Sequence, residues 1–293
     1  MSGWRVGAAT ITPVIEVETP TSPRFLFGAV DKARVLALAD RAPWLRPHFV
    51  DERGYLLQRV QCLVVELGGR RIAVDTCVGN DKDRRNPGWH HLQLPFLADL
   101  AAAGYPPETI DTVVCTHLHV DHVGWNTRLV DGRWVPTFPN ARYLFAAPEY
   151  EHWRAHPLPD GDVFGDSVAP IVEAGLADLV PVDHQVAPGV RLDPTPGHTP
   201  GHVSVVVESQ GRRAVITGDM IHSPVQVADV DLSSDFDTDP GQAADTRRAF
   251  LARYLGDTLV VGTHWGGPGA GHVRRSPDGS WSIEAQAGSV DRG

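Results

Sequence analysis

The chain is predicted to be an α/β fold in which two β-sheets pack together with helices on the outside. Three observations carry that prediction. Short β-rich runs pair through glycine turns in both halves, and helix-like runs lie between and after them. Residues able to carry chemistry fall where strands end in loops.

The first hairpin comprises residues 60–67, the turn Gly68-Gly69 and residues 71–75. A helix is expected over 94–103, stopped by Gly104 and two prolines. Strands follow at 111–116 and 142–146, and helices at 148–156, with proline in its first turn, and at 166–176. The second half repeats this logic, with strands at 190–194, 203–208 and 214–217 and Gly211 as a turn. A helix over 240–255 and a strand over 258–261 complete it. Residues 1–50 are the least legible; within them 25–39 reads as one helix from the spacing of Phe25, Ala29, Ala33 and Leu36. The chain is expected to be one domain over 1–293, with 1–56 as an N-terminal extension.

The 293 residues are 42% hydrophobic, ample for a buried core. The formal net charge of −10 argues against a nucleic-acid partner, which needs a basic surface. No basic segment followed by an apolar one opens the chain, and no run approaches a membrane span. Three cysteines (Cys62, Cys77 and Cys115) sit in or beside strand-like runs without paired spacing. Buried thiols and a cytoplasmic home are therefore expected.

The central chemical signal is residues 116–122, Thr-His-Leu-His-Val-Asp-His. Leaving a strand still extended, His117 and His119 point the same way, and a turn after Val120 brings Asp121 and His122 round to them. Imidazole and carboxylate together suit zinc and related divalent ions. A lone histidine is more often a surface or satisfied core residue; a cluster this tight directly after a strand is not. His198 in a Pro-Gly-His loop, Asp219 in Thr-Gly-Asp-Met and His264 in Gly-Thr-His-Trp each follow a strand, and together they supply the ligands a two-metal site needs.

These landmarks, with Asp75 before them, resemble the metallo-β-lactamase superfamily over roughly residues 57–267. The resemblance implies an αββα sandwich and two divalent metal ions, zinc being the first choice. It assigns His117, His119 and His198 to one ion and Asp121, His122 and His264 to the other, with Asp219 bridging and Asp75 bracing the loops. It further implies a dinuclear hydrolase using a metal-bridging hydroxide, in which Asp121 both ligates and orients. His222, three residues after Asp219, stands where lactonases of this superfamily often carry tyrosine. It is either a donor to substrate or a supporting residue. His202 is expected to support rather than ligate.

The N-terminal extension, the run Gly218 to His222 and the ending His264-Trp-Gly-Gly-Pro-Gly resemble a branch holding methyl parathion hydrolase and some N-acyl-homoserine lactonases. A lactone or carboxylic ester with an apolar portion is the expected small-molecule substrate, and a phosphotriester is the alternative. Asp219 and the lack of an export signal count against a β-lactamase. No basic insertion suggests a tRNA nuclease, and no basic C-terminal segment suggests a glutathione thioesterase. A non-catalytic metal-binding sensory module is the alternative outside enzymes. Phe25, Phe27, Trp89, Trp125, Trp153 and Trp265 are candidate pocket residues, with Trp125 the foremost. The N-terminal segment could pack across a homodimer interface.

Overall fold

The computed structural model describes residues 2–157 and 159–291. The chain opens with β1 (Ser2–Val6) and a 13-residue β2 (Ala9–Thr21), followed by two helices, α1 (Pro23–Phe27) and α2 (Lys32–Arg41). The hairpin β3 (Leu56–Leu67) and β4 (Arg70–Val74) leads to α3 (Phe96–Ala102) and β5 (Thr112–Val114). A small hairpin, β6 (Thr127–Val130) and β7 (Arg133–Pro136), precedes β8 (Arg142–Ala146). Then come α4 (Ala147–Ala155), α5 (Val163–Ser167), α6 (Ala169–Glu173) and β9 (Ala177–Val180).

The second half begins with β10 (Gln185–Ala187), β11 (Val190–Pro194), β12 (Val203–Ser209) and β13 (Arg212–Ile216). Next are α7 (Val225–Ala228), α8 (Pro240–Arg253) and β14 (Leu259–Val261). The described chain ends with β15 (Ala270–Arg275), β16 (Trp281–Ala285) and β17 (Val290–Asp291).

One sheet has the order β17-β1-β2-β3-β4-β5-β8-β9 and the other β10-β11-β12-β13-β14-β15-β16. The period of two along each strand explains how they stack. Leu63, Val65, Val74 and Leu144 from the first sheet meet Val203, Val205, Ile216 and Val261 from the second in a buried layer. The alternate residues Cys62, Val64, Val113 and Tyr143 face outward, where Phe96 and Leu100 of α3 cover them. Val206, Val215 and Val260 are likewise covered by Phe250 and Leu251 of α8. Strands buried on both faces read as continuous apolar runs, and each buried Val or Leu contributes roughly 1.5–3 kcal/mol. The result is the expected αββα sandwich. All three cysteines are free and buried, and no described helix is long and apolar enough to cross a membrane.

Four details differ from the sequence reading. Residues 25–39 form two helices, because Gly28 takes φ 40° and Asp31 caps a new start by accepting from the Arg34 N–H. Residues 166–176 are split between α5 and α6 at Val168. The N-terminal segment is built into the first sheet, with β2 paired to β3 from Thr10 to Thr21. Finally, β15 and β16 extend the second sheet beyond His264.

Candidate metal centre

The strand ends converge. His117, His119, Asp121 and His122 follow β5, His198 lies between β11 and β12, Asp219 follows β13 and His264 follows β14. The imidazoles of His117, His119 and His198 form one group with their ligand atoms within 4.8 Å of one another, and Asp121, His122 and His264 form another. Asp219 lies between the two. Its Oδ2 is 3.9 Å from His117 Nε2 and 3.8 Å from His198 Nε2, while its Oδ1 is 3.3 Å from His122 Nε2 and 3.1 Å from His264 Nε2. Asp121 reaches His122 Nε2 and His264 Nε2, both at 3.5 Å. Two ligand atoms on one tetrahedral ion, each about 2.0–2.1 Å from it, stand roughly 3.3 Å apart, so this spacing fits coordination.

The donor set passes a second test. His117 Nε2 and Asp219 Oδ1 are buried with no hydrogen-bond partner, a cost of about 1–3 kcal/mol each unless something binds them. Meanwhile the distal nitrogens are held. His122 Nδ1 is 3.0 Å from Asp75 Oδ2, His198 Nδ1 is 2.9 Å from Asp237 Oδ1 and His264 Nδ1 is 2.7 Å from the Arg59 carbonyl. A ligating imidazole is characteristically oriented in this way. Asp75 also accepts from the Thr116 N–H and hydroxyl, fixing the loop that carries the motif.

Electrostatics divide the centre in two. Burial, aided by neighbouring imidazoles, holds His117 and His198 well below the usual histidine range and pushes His119 down to about 3. Burial also opposes a charge on His122 and His264, but Asp219 and Asp121 outweigh it, holding His122 well above its usual range and His264 up at about 9. Burial likewise opposes ionisation of Asp219, yet His122, His264 and His222 hold its carboxyl well below the usual range. One half therefore presents neutral nitrogens, and the other gathers positive charge where a cation would supply it.

His202 lies beneath the centre. Its Nε2 accepts the Asp219 N–H at 2.9 Å, so its Nδ1 carries the proton and donates to Thr195 Oγ1 at 2.8 Å. Gly218 permits this approach: it takes φ 57°, and a Cβ there would lie 2.5 Å from His202 Nε2. His222 faces the cavity with Nε2 3.3 Å from Asp219 Oδ2, and neither ring nitrogen has a hydrogen-bond partner.

Three carboxylates, Asp237 and Glu149 buried and Glu16 half-buried, escaped the sequence reading. Asp237 orients His198. Glu149 accepts from the Leu118 and Gly201 N–H groups and from the Trp153 indole, tying the first motif to the His198 loop. Glu16 is the extra residue of a bulge in β2, between the pairs Ile15–Gln61 and Val17–Val60. It accepts from the Val78 and Gly79 N–H groups and the Trp125 indole, and burial pushes its carboxyl up to about 6.

Above the centre opens a cavity of about 470 Å³. Val17, Val60, Phe25, Trp89, Trp153 and Phe236 make much of its wall. Trp125 does not line it, contrary to expectation; it stacks on Phe96 at 5.5 Å with its indole turned to Glu16. Phe27 and Trp265 are also core residues. Phe25, Trp89 and Trp153 are where a pocket role was expected, and Phe236 was missed.

The metallo-beta-lactamase superfamily model matches residues 57–264. An N-acyl homoserine lactonase from Bacillus sp. is 32% identical over 111 residues, which is 38% of this chain and 38% of that protein. The solved structure of hydrolase AbOPH, in the beta lactamase superfamily, superposes with a TM-score of 0.80 at 25% identity, covering 99% of this chain and 98% of that one. AidC, a dizinc quorum-quenching lactonase, superposes at 0.76 with 19% identity over 99% and 98% of the two chains, a likeness of fold. With strand order, motif spacing and converging ligand atoms all in agreement, the chain belongs to the metallo-β-lactamase superfamily.

Proposed function

We propose that the protein is a dinuclear metal-dependent hydrolase acting on a lactone or carboxylic ester with an apolar portion, with zinc as the ion of first choice. The observation that carries this reading is Asp219, whose two carboxylate oxygens face two separate groups of imidazoles. His117, His119 and His198 would hold one ion, Asp121, His122 and His264 the other, and Asp219 both. Bound there, the ions would supply Lewis acidity and an activated water near neutral pH.

The chain's own residues bind and orient. The aromatic and aliphatic wall excludes water and seats an acyl portion. Asp121 lines the cavity, where it would accept a hydrogen bond from the attacking water and aim it. His222 has ring nitrogens that make no hydrogen bond, although Nε2 lies 3.3 Å from Asp219 Oδ2, and it would donate to the substrate oxygen. The cysteines are buried, so no thiol nucleophile enters. The N-acyl homoserine lactonases that match part of the chain favour a lactone within this class, and with it a quorum-quenching role. We place this activity in the cytoplasm and in a single unit formed by the whole chain.

A pH-stat panel on metal-analysed protein tests the reading, with acyl-homoserine lactones, aryl esters, a phosphotriester, a thioester and a β-lactam. A lactone or ester rate far above the rest, lost in His117→Ala, is the expected result. A dominant phosphotriester or β-lactam rate would overturn the substrate class. No turnover by protein holding two ions would favour a sensory role. His222→Phe should lower turnover by on the order of 10²-fold while metal content holds; an equal fall in both would make His222 a support for the centre.

A further inference from the structure

Residues 79–94 form an irregular loop that brings Arg85, Asn86 and Trp89 into the cavity wall. Its neck is closed by hydrogen bonds between Asn80 and Leu94 and from the Asp81 N–H to the Leu92 carbonyl, and two more lie further in. The His91 N–H donates to the Lys82 carbonyl at 2.8 Å, and the Arg84 N–H donates to His90 Nδ1 at 3.2 Å. Lys82 and Arg84 are buried against Asp166, so their charges are spent inside the protein. On the outer side stand Asp83, His90 and His91, all exposed, with their ligand-type atoms within 4.8 Å of one another. The two rings lie 4.1 Å apart, and His91 takes φ 49°.

His90 Nδ1 is also 3.0 Å from Asp83 Oδ1. A nitrogen accepting the Arg84 N–H has no proton to offer the carboxylate. Two acceptors facing each other at that distance repel, and a cation between them removes the repulsion. A proton or a metal ion on His90 Nδ1 would use the lone pair that accepts from Arg84, and so would replace that bond with one bridging to Asp83.

We propose that Asp83, His90 and His91 form a surface site for a divalent transition-metal ion, separate from the buried centre. Two imidazoles and a carboxylate suit zinc, nickel and copper, with water completing the coordination. The ligands bracket residues 84–89. An ion held there ties together both ends of the segment carrying Arg85, Asn86 and Trp89, and so stiffens one wall of the cavity without touching its floor.

Equilibrium dialysis of the metal-loaded holoprotein against Zn²⁺ counts the ions bound, with wild type beside H90A/H91A and H117A. Because the His90 and His91 side chains are exposed and lie outside the core, their replacement should leave the fold intact despite the loss of the Arg84 bond, which circular dichroism checks. Wild type should bind about one ion more than H90A/H91A, and added Zn²⁺ should raise its Tm further. H117A should retain the extra ion, which separates this site from the buried centre whatever the latter holds. Equal counts and equal Tm shifts in wild type and H90A/H91A would overturn the proposal.

Discussion

On the cavity floor, His122, His198 and His264 each have the distal nitrogen held by a carboxylate or a carbonyl, and Asp219 sits among the rings with 6% of its side chain exposed. At the rim of the wall, Phe25 and Phe236 are 42% and 41% exposed; their ring centroids are 5.5 Å apart, and Phe25 meets Trp89 edge-on at 6.2 Å. Floor residues depend on one another, because removing one leaves buried polar partners unpaired in a low dielectric. Wall residues contribute apolar area nearly independently. The floor is therefore built to fix one chemistry, while the wall is free to vary what is seated above it.

Four measurements break or sharpen this contrast. The largest effect belongs to Asp219→Ala, which should take metal content from about two ions toward one and lower turnover by on the order of 10³-fold; unchanged stoichiometry and activity would refute the bridging assignment. Next is Asp237→Asn, which touches no proposed ion. It should weaken metal affinity by about 10–100-fold through His198, and a change confined to KM would remove it from the floor.

Glu16, beside Val17 of the wall, gives a pH signature. Its carboxyl is raised from 4.5 to about 6, so the folded state holds its proton more tightly than the unfolded state does. That contribution is full below pH 4.5 and is lost as pH rises through 6. Measured by denaturant unfolding, the stability of wild type relative to Glu16→Gln should fall by about 2 kcal/mol across this window. A flat difference would mean that the charge is already compensated. The smallest effect is expected at the rim: Phe25→Ala should raise KM several-fold for long-chain substrates and leave kcat and metal content alone. A loss of metal would break the contrast outright.

The floor was readable in the sequence because its residues sit in short motifs directly after strands, so the seven proposed ligands could be named before their convergence was known. The two-sheet architecture was readable because β3 to β4 and β11 to β14 are dense in apolar residues, whereas the order of strands within each sheet was not. The wall was not, because Phe25, Trp89 and Phe236 meet only after folding. Trp125 misled through its nearness in sequence to the motif, whereas its ring turns into the core. Glu16, Glu149 and Asp237 carry no local pattern, since a carboxylate becomes a brace only when distant N–H groups or an imidazole arrive. The break at Gly28 hides inside otherwise helical spacing.

The long pairing of β2 with β3 bears on how this protein can be shortened. The segment matching the family begins at Leu57, and cutting there looks natural on sequence grounds. It would strip the neighbour from β3 and expose a long row of apolar residues and unpaired backbone groups, a template for intermolecular pairing. It would also delete Glu16 and the Val17 wall, and remove β1, to which β17 pairs. A protein started at Leu57 should therefore collect in inclusion bodies, and the shortest useful form begins ahead of the first strand.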